Sequence, residues 1–173
     1  MNTNKSAAIA KGEKAEHLFV KQFGGKRATD MATQYKDIGI IHKQGTFSVK
    51  EQVWSSGKYG GITVEMFMED AEGNRMDGNA KVCEADFYAW GITHNGSAHW
   101  LMIKPSALLR LIEEKGYPLK TTMASTTAQN ASQGRKYTKA HIHAVPLKDI
   151  LSELTEGSDY RLKEMTVWTL MSS

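Results

Sequence analysis

Residues 37–54 read DIGIIHKQGTFSVKEQVW, and this stretch decides the predicted fold. Two β-prone runs, 37–41 and 46–54, flank the turn-forming sequence at 42–45. Alternation of side chains between the two faces of a strand places Phe47 with Val49, and Ser48 with Lys50, on opposite faces of the second run. The pattern predicts a β-hairpin with one apolar and one polar face.

The rest of the chain adds helices on both sides of this hairpin. Upstream, residues 12–23 predict a helix that ends at Gly24-Gly25, and the polar residues 26–36 predict a loop. Downstream, we expect strands at 62–68, 85–93, 98–103 and 140–146, a last strand or tail at 160–170, a turn at 70–78, and helices at 107–115, with Ser106 as its N-cap, and at 147–154. The Asn-Gly pair within residues 94–97 predicts that the strands at 85–93 and 98–103 form a second hairpin. This order predicts an α/β (α+β) fold with a central mixed β-sheet flanked by helices.

Composition narrows the class of protein. The 173 residues fit one domain, 1–173, and 40% hydrophobic with 24% charged residues is ordinary for a globular protein. No apolar run approaches the length of a membrane span, and residues 7–10 are too short an apolar stretch for a signal peptide. The single cysteine, Cys83, excludes an internal disulfide framework and a Cys-based zinc site. We therefore expect an intracellular, cytoplasmic protein with no membrane partner.

Local charge is more informative than the net charge of +3. No acidic residue lies between Glu114 and Asp149, an interval that carries several lysines. Within it, residues 121–139 are rich in Ser, Thr, Gln and Asn, and they predict a mobile basic and polar loop. A positive face for phosphates is one interpretation of this interval, and a solvated polar loop is the other.

Four residues from three elements form a candidate site. Lys50 and Ser48 share the polar face of the second strand, Asp37 begins the first, and Glu16 on the upstream helix can reach the same sheet edge. Asp37 would anchor a Mg²⁺ ion (or Mn²⁺), Glu16 would hold a second metal or a metal-bound water, and Lys50 would contact the phosphate or the attacking water. The other interpretations are a turn residue for Asp37, a solvated strand face for Lys50 and a solvated helix face for Glu16. Glu65 lies on the next strand, where it could supply a further carboxylate to this site or occupy an exposed strand position.

The quoted residues resemble the PD-(D/E)XK nuclease superfamily, especially its small homing-endonuclease-like and Holliday-junction-resolvase-like members. The similarity spans roughly residues 11–150 and lies in five stretches: KGEKAEHLF (11–19), QYKDIGII (34–41), GTFSVKEQ (45–52), ADFYAWGITHNGSAHWLMIKP (85–105) and VPLKDI (145–150). It implies a restriction-endonuclease-like fold, with Glu16, Asp37 and Lys50 in the catalytic positions. The chain departs from the pattern at Ser48, where a carboxylate is usual, and at Lys36, where proline is common.

Contacts to nucleic acid are predicted in two loops. Lys58 lies in a glycine-rich segment that could follow a DNA backbone. In residues 133–139, the candidates for phosphate contact and base stacking are Arg135, Lys136, Tyr137 and Lys139.

Three functions follow, in order of preference. The first is a Mg²⁺-dependent DNA endonuclease, phage or mobile-element encoded by resemblance, and a homodimer or higher homo-oligomer because two strands need two sites. The second is a catalytically degenerate protein of the same fold that binds only nucleic acid or a protein partner, which Ser48 favours. The third is an unrelated intracellular α/β module.

Overall fold

The computed structural model describes residues 3–51, 60–94, 97–124, 137–156 and 165–169. Within them the helices are α1 (Thr3–Phe23), α2 (Met31–Tyr35), α3 (Asn79–Val82), α4 (Pro105–Lys115) and α5 (Leu147–Glu156). The strands are β1 (Lys26–Arg27), β2 (Ile40–His42), β3 (Gly45–Glu51), β4 (Gly61–Asp70), β5 (Arg75–Asp77), β6 (Phe87–His94), β7 (Ser97–Ile103), β8 (Leu119–Met123), β9 (Tyr137–Pro146) and β10 (Met165–Thr169). The protein therefore has the predicted α+β fold.

The hairpin formed by β2 and β3 lies in a six-stranded sheet of order β1-β2-β3-β6-β7-β10. β2 and β3 pair antiparallel with Ile40 opposite Phe47, whereas β3 and β6 run parallel with Lys50 opposite Trp90. The sheet is mixed, as predicted, and the antiparallel β6–β7 pair confirms the second hairpin expected from the sequence.

Helix α1 covers the apolar face of this hairpin. Ala15 and Phe19 are buried against Phe47, Val49 and Trp100, because a spacing of three to four residues places them on one side of the helix. The helix starts earlier than predicted and ends where expected, at Gly24, whose φ of 83° lies in the left-handed region. This packing sets the position of Glu16, one turn before Phe19.

A second, four-stranded antiparallel sheet has the order β5-β4-β9-β8 and was not expected as a separate layer. Two predictions are wrong here. The turn at 70–78 contains β5, and the loop at 121–139 gives residues to β8 at its start and to β9 at its end. The cross-strand hydrogen bonds to neighbours distant in sequence outweigh the polar composition of these segments. Residues 125–136 lie outside the described part of the chain.

Helix α4 packs between the two sheets through an apolar stripe. Its residues Leu108 and Leu111 are buried in a core cluster with Ile62 of the four-stranded sheet and Ile103 of the six-stranded one. The N-cap is Lys104, followed by Pro105 at the first turn, so the prediction of Ser106 as N-cap is wrong by two residues. Gly116 ends the helix in a left-handed conformation, as expected. Among the described residues, no helix is long and apolar enough to cross a membrane.

Candidate functional site

Asp37 is placed by a short helix that the sequence did not predict. Asp30 caps α2 by accepting a hydrogen bond from the Thr33 backbone N–H at 2.8 Å. The chain then turns sharply, and the Asp37 N–H donates to the Gln34 carbonyl at 3.0 Å. Asp37 has φ of 56°, a left-handed conformation that no other non-glycine residue in the described ranges adopts. Aspartate and asparagine tolerate this conformation better than most residues, so the turn favours one of them at position 37.

The Asp37 carboxylate is held from two neighbouring positions on β3. Lys50 Nζ lies 2.7 Å from Oδ1 and 2.9 Å from Oδ2, and the Ser48 hydroxyl donates to Oδ2 at 2.8 Å. Ser48 is buried, and the side chains of Asp37 and Lys50 are only 20% and 25% exposed. Partial exclusion of water strengthens these charge-assisted bonds, so the three side chains form a fixed unit. The structure thus joins three of the predicted site residues in direct contact.

The two faces of β3 separate Lys50 from helix α1. Phe47 and Val49 enter the cluster formed with α1, whereas Lys50 lies 5.9 Å from the ring centre of Tyr88 on the opposite face. Lys50 also lines a large groove between the two sheets, together with Trp90. The predicted alternation of the strand is therefore confirmed, and it directs the Lys50 ammonium towards this groove.

Glu16 reaches the neighbourhood of Asp37 from the side of α1. The two residues line a common cleft of 280 Å³ with Ser48, here called the Glu16 cleft. Glu16 Oε2 accepts a hydrogen bond from Arg27 Nε at 2.8 Å. Its Oε1 lies over Gly39, so close that a Cβ at that position would stand 2.5 Å from it. The absence of a side chain at Gly39 therefore gives the Glu16 carboxylate its place beside the hairpin.

The Glu16 cleft has the donor chemistry of a magnesium site. Mg²⁺ in proteins is commonly held by one or two carboxylates and keeps several of its waters. The cleft is lined by the carboxylates of Asp37, Glu16 and the more exposed Glu13, and by the Ser48 hydroxyl, all of them hard oxygen donors. Across the described residues no group of three or more His, Cys, Asp or Glu side chains is close enough to hold a metal. The residues therefore fit a water-rich Mg²⁺ ion and do not fit a site built entirely from protein ligands.

Glu65 is half-buried rather than exposed, so of its two interpretations the exposed strand position is wrong and the further carboxylate stays a prediction. It lies on β4 and lines the same groove as Lys50. Burial raises the pKa of the Glu65 carboxyl, and the negative charge of Asp37 adds to this shift. A hydrogen bond from the Asn79 backbone N–H and the charge of Lys50 act in the opposite direction. No local sequence signal predicts the burial of Glu65, because this burial depends on the packing of one sheet over the other.

The predicted contacts to nucleic acid have mixed outcomes. Lys58, Arg135 and Lys136 lie outside the described residues and stay predictions. Lys139 is half exposed and pairs with Glu69 at 3.1 Å. Tyr137 is buried in a cluster with Met68 and Ala140, and its hydroxyl donates to the Met76 sulfur at 3.2 Å. The expectation that Tyr137 stacks on a base is corrected, since strand pairing turns its ring into this cluster.

Comparison with known proteins gives little further guidance. No family model and no curated protein matches the chain. A solved structure described as "Crystal Structure of MepB" is similar over 100% of both chains, with 12% sequence identity and a TM-score of 0.38.

Proposed function

We propose that the protein is a metal-dependent DNA endonuclease that hydrolyses phosphodiester bonds at the Asp37–Ser48–Lys50 unit. The observation that carries the proposal is the contact of a recessed carboxylate with an ammonium and a hydroxyl, at a point that opens into both the Glu16 cleft and the groove between the sheets. The similarity of these positions to the PD-(D/E)XK pattern, and with it a restriction-endonuclease-like site, belongs to the same proposal.

Each residue has a separate task in the reaction. In hydrolysis, a water oxygen bonds to phosphorus, the bond to the leaving oxygen breaks, one proton leaves the water and one reaches the leaving oxygen. Lys50 would bind a nonbridging phosphate oxygen and stabilise the charge that develops there. Ser48 would keep the Asp37 carboxylate oriented towards the cleft. A divalent cation held by Asp37 and Glu16 would supply further charge neutralisation and activation of water.

An intracellular location, an origin in a phage or mobile element, and a homo-oligomeric assembly complete this proposal. Cutting both strands of a duplex requires two sites, which a homodimer provides. A lone cysteine in 173 residues agrees with a reducing compartment.

A metal-titrated cleavage assay tests the proposal. Supercoiled plasmid, branched DNA and single strands are incubated with Mg²⁺ or Mn²⁺, with EDTA as the metal-free control. Asp37→Asn removes the charge while it keeps a residue that accepts positive φ, and Lys50→Met removes the ammonium while it keeps an apolar stem. We expect each variant to lose at least about 100-fold in rate, the cost typical of removing one charge-stabilising group from an active site.

The matched control is Lys43→Met, because Lys43 is an exposed lysine in the turn of the same hairpin. Its cleavage rate should equal that of the wild type. Undiminished cleavage by both Asp37→Asn and Lys50→Met would overturn the assignment of the site.

A second function is favoured by one specific feature, the absence of a carboxylate at Ser48. With Glu16 already paired to Arg27 and Asp37 already paired to Lys50, the site is electrostatically satisfied without a cation. In this alternative the protein binds nucleic acid, or a protein partner, without cutting. Salt-dependent DNA binding with no cleavage at any Mg²⁺ or Mn²⁺ concentration would select it over the endonuclease.

A further inference from the structure

The groove between the two sheets, which Lys50 lines, has a volume of 670 Å³ and is larger than the Glu16 cleft of 280 Å³. One wall belongs to the six-stranded sheet and the other to the four-stranded sheet. Its lining includes Lys50, Trp90, Thr63, Glu65, Lys120 and Thr122. Asp37 and Glu16 line the smaller cleft instead. A substrate that touches Lys50 can therefore lie in the groove while Asp37 and Glu16 act from the other side.

The wall opposite Lys50 is built from the acid-free interval of the sequence. The strands β8 and β9 both lie between Glu114 and Asp149, so neither carries a carboxylate. In the described part of the four-stranded sheet β8 is an edge strand, and all of its residues are exposed. It presents Lys120 to the groove, beside the hydroxyl groups of Thr121 and Thr122. A lysine on each wall and hydroxyl donors between them suit a chain of phosphates.

Glu65 is the carboxylate among the described residues that line the groove. It lies half-buried on β4, and the charge of Lys50 faces it across the groove and acts against the effect of burial, which raises the pKa of its carboxyl. The apolar part of the lining lies elsewhere. Trp90 and Tyr88 are buried and form the floor, whereas Met123 at the rim is 88% exposed and can lie against a base.

The size of the groove separates single strands from duplexes. Its volume falls within the range of about 300–1,000 Å³ that is typical of ligand pockets. Such a space holds unstacked nucleotides, as in enzymes that draw a base out of the helix, whereas a paired and stacked duplex would have to open first. The recessed position of Lys50, 25% exposed, points the same way.

We propose that this groove binds a single-stranded segment of DNA, with its backbone phosphates held between Lys50 and Lys120. The inference rests on the proposed function and names its substrate class, so the preferred substrates are single strands, flaps or frayed ends rather than intact duplex. Contact with the backbone and with exposed base faces gives binding with little dependence on sequence.

Binding measured without metal tests the inference independently of cleavage. Fluorescence anisotropy in EDTA compares a labelled single strand with the duplex of the same sequence, over a series of salt concentrations. We expect the single strand to bind about tenfold more tightly. Lys120→Ala should weaken binding to the single strand and reduce the salt slope by about 0.7, the value for one phosphate contact on a single strand. Lys43→Ala, the exposed lysine outside the groove, should leave both unchanged.

Equal or tighter binding of the duplex, or a Lys120→Ala variant that behaves like Lys43→Ala, would overturn the inference. The two proposals can fail separately. Single-strand binding that depends on Lys120, without cleavage under any metal, would support the groove and reject the endonuclease. Cleavage of intact duplex that depends on Asp37 and is unaffected by Lys120→Ala would support the endonuclease and reject the groove.

Discussion

The candidate site at the six-stranded sheet and the edge of the four-stranded sheet differ in how far their charged side chains are exposed to solvent. At the six-stranded sheet, Lys50 of β3 binds Asp37, which lies in the turn before β2 rather than at the start of that strand as predicted, and the two side chains are only 25% and 20% exposed. In the four-stranded sheet, the edge strand β8 is exposed along its whole length, and Lys120 stands on it in solvent. Chemistry needs groups fixed to within fractions of an ångström, whereas contact with a flexible polyanion does not. Under the proposed function, this contrast would place the reaction at the first sheet and the contact with substrate at the second.

The largest effect is expected from the aromatic packing that holds α1, and with it Glu16, on the β2–β3 hairpin. Phe19 is fully buried, with ring centres 5.0 Å from Phe47 and 5.3 Å from Trp100. Phe19→Ala should lower the free energy of unfolding by about 3–5 kcal/mol, because it leaves a cavity in this core. Urea unfolding followed by circular dichroism measures the change.

The neighbouring residue is the matched control for this prediction. Leu18 lies on the same helix and is 42% exposed. Leu18→Ala should cost less than about 1 kcal/mol, because it removes little buried surface. Equal losses of unfolding free energy in the two variants would contradict the view that the burial of Phe19 holds α1 on the hairpin.

Glu16 and Glu13 allow a comparison within α1, since both carboxylates form an ion pair with Arg27. Both line the Glu16 cleft with Asp37, but Glu16 lies 2.8 Å from Arg27 and is 22% exposed, whereas Glu13 lies at 3.5 Å and is 55% exposed. Glu16→Gln should lower the cleavage rate about 10- to 100-fold and raise the Mg²⁺ concentration needed for half-maximal rate. Glu13→Gln should change neither. If both variants respond alike, the role of Glu16 is limited to its ion pair.

Ser48 and Thr46 form a second matched pair, for which we expect a smaller effect. Each hydroxyl donates to a carboxylate at 2.8 to 2.9 Å, Ser48 to Asp37 in a buried position and Thr46 to Asp86 near the surface. Ser48→Ala should cost about 1–2 kcal/mol of unfolding free energy, because it removes a buried charge-assisted hydrogen bond. Thr46→Val should cost less than about 0.5 kcal/mol, because water can replace both bonds of this hydroxyl, the one to the Asp86 carboxylate and the one from the Asp86 backbone N–H. Thermal unfolding of both variants decides whether burial makes the difference.

The sequence predicted the parts of the site that depend on local pattern. Strand alternation correctly put Ser48 and Lys50 on one face, and the turn after 41 correctly paired β2 with β3. It missed the short helix α2, whose cap and turn set the left-handed conformation of Asp37. It also missed the layer formed by β8 and β9, because pairing between distant segments leaves no periodic signal in polar residues.

Glu65 lines the groove between the two sheets, and the pH dependence of its contribution to stability is the smallest effect we expect. Because its pKa is raised in the folded state, its contribution to stability is fully present below the pKa of the unfolded chain and is lost as pH rises through the folded value. Glu65→Gln removes the cost of burying the charge, so the variant should gain stability over wild type at neutral pH, and this gain should shrink as pH falls. Urea unfolding across that pH range measures it, with Glu72→Gln in the exposed turn before β5 as the control. If Glu65→Gln shows no more gain at neutral pH than Glu72→Gln, Glu65 is as solvated as Glu72, and a gain that does not change with pH would show that it does not come from the charge of Glu65.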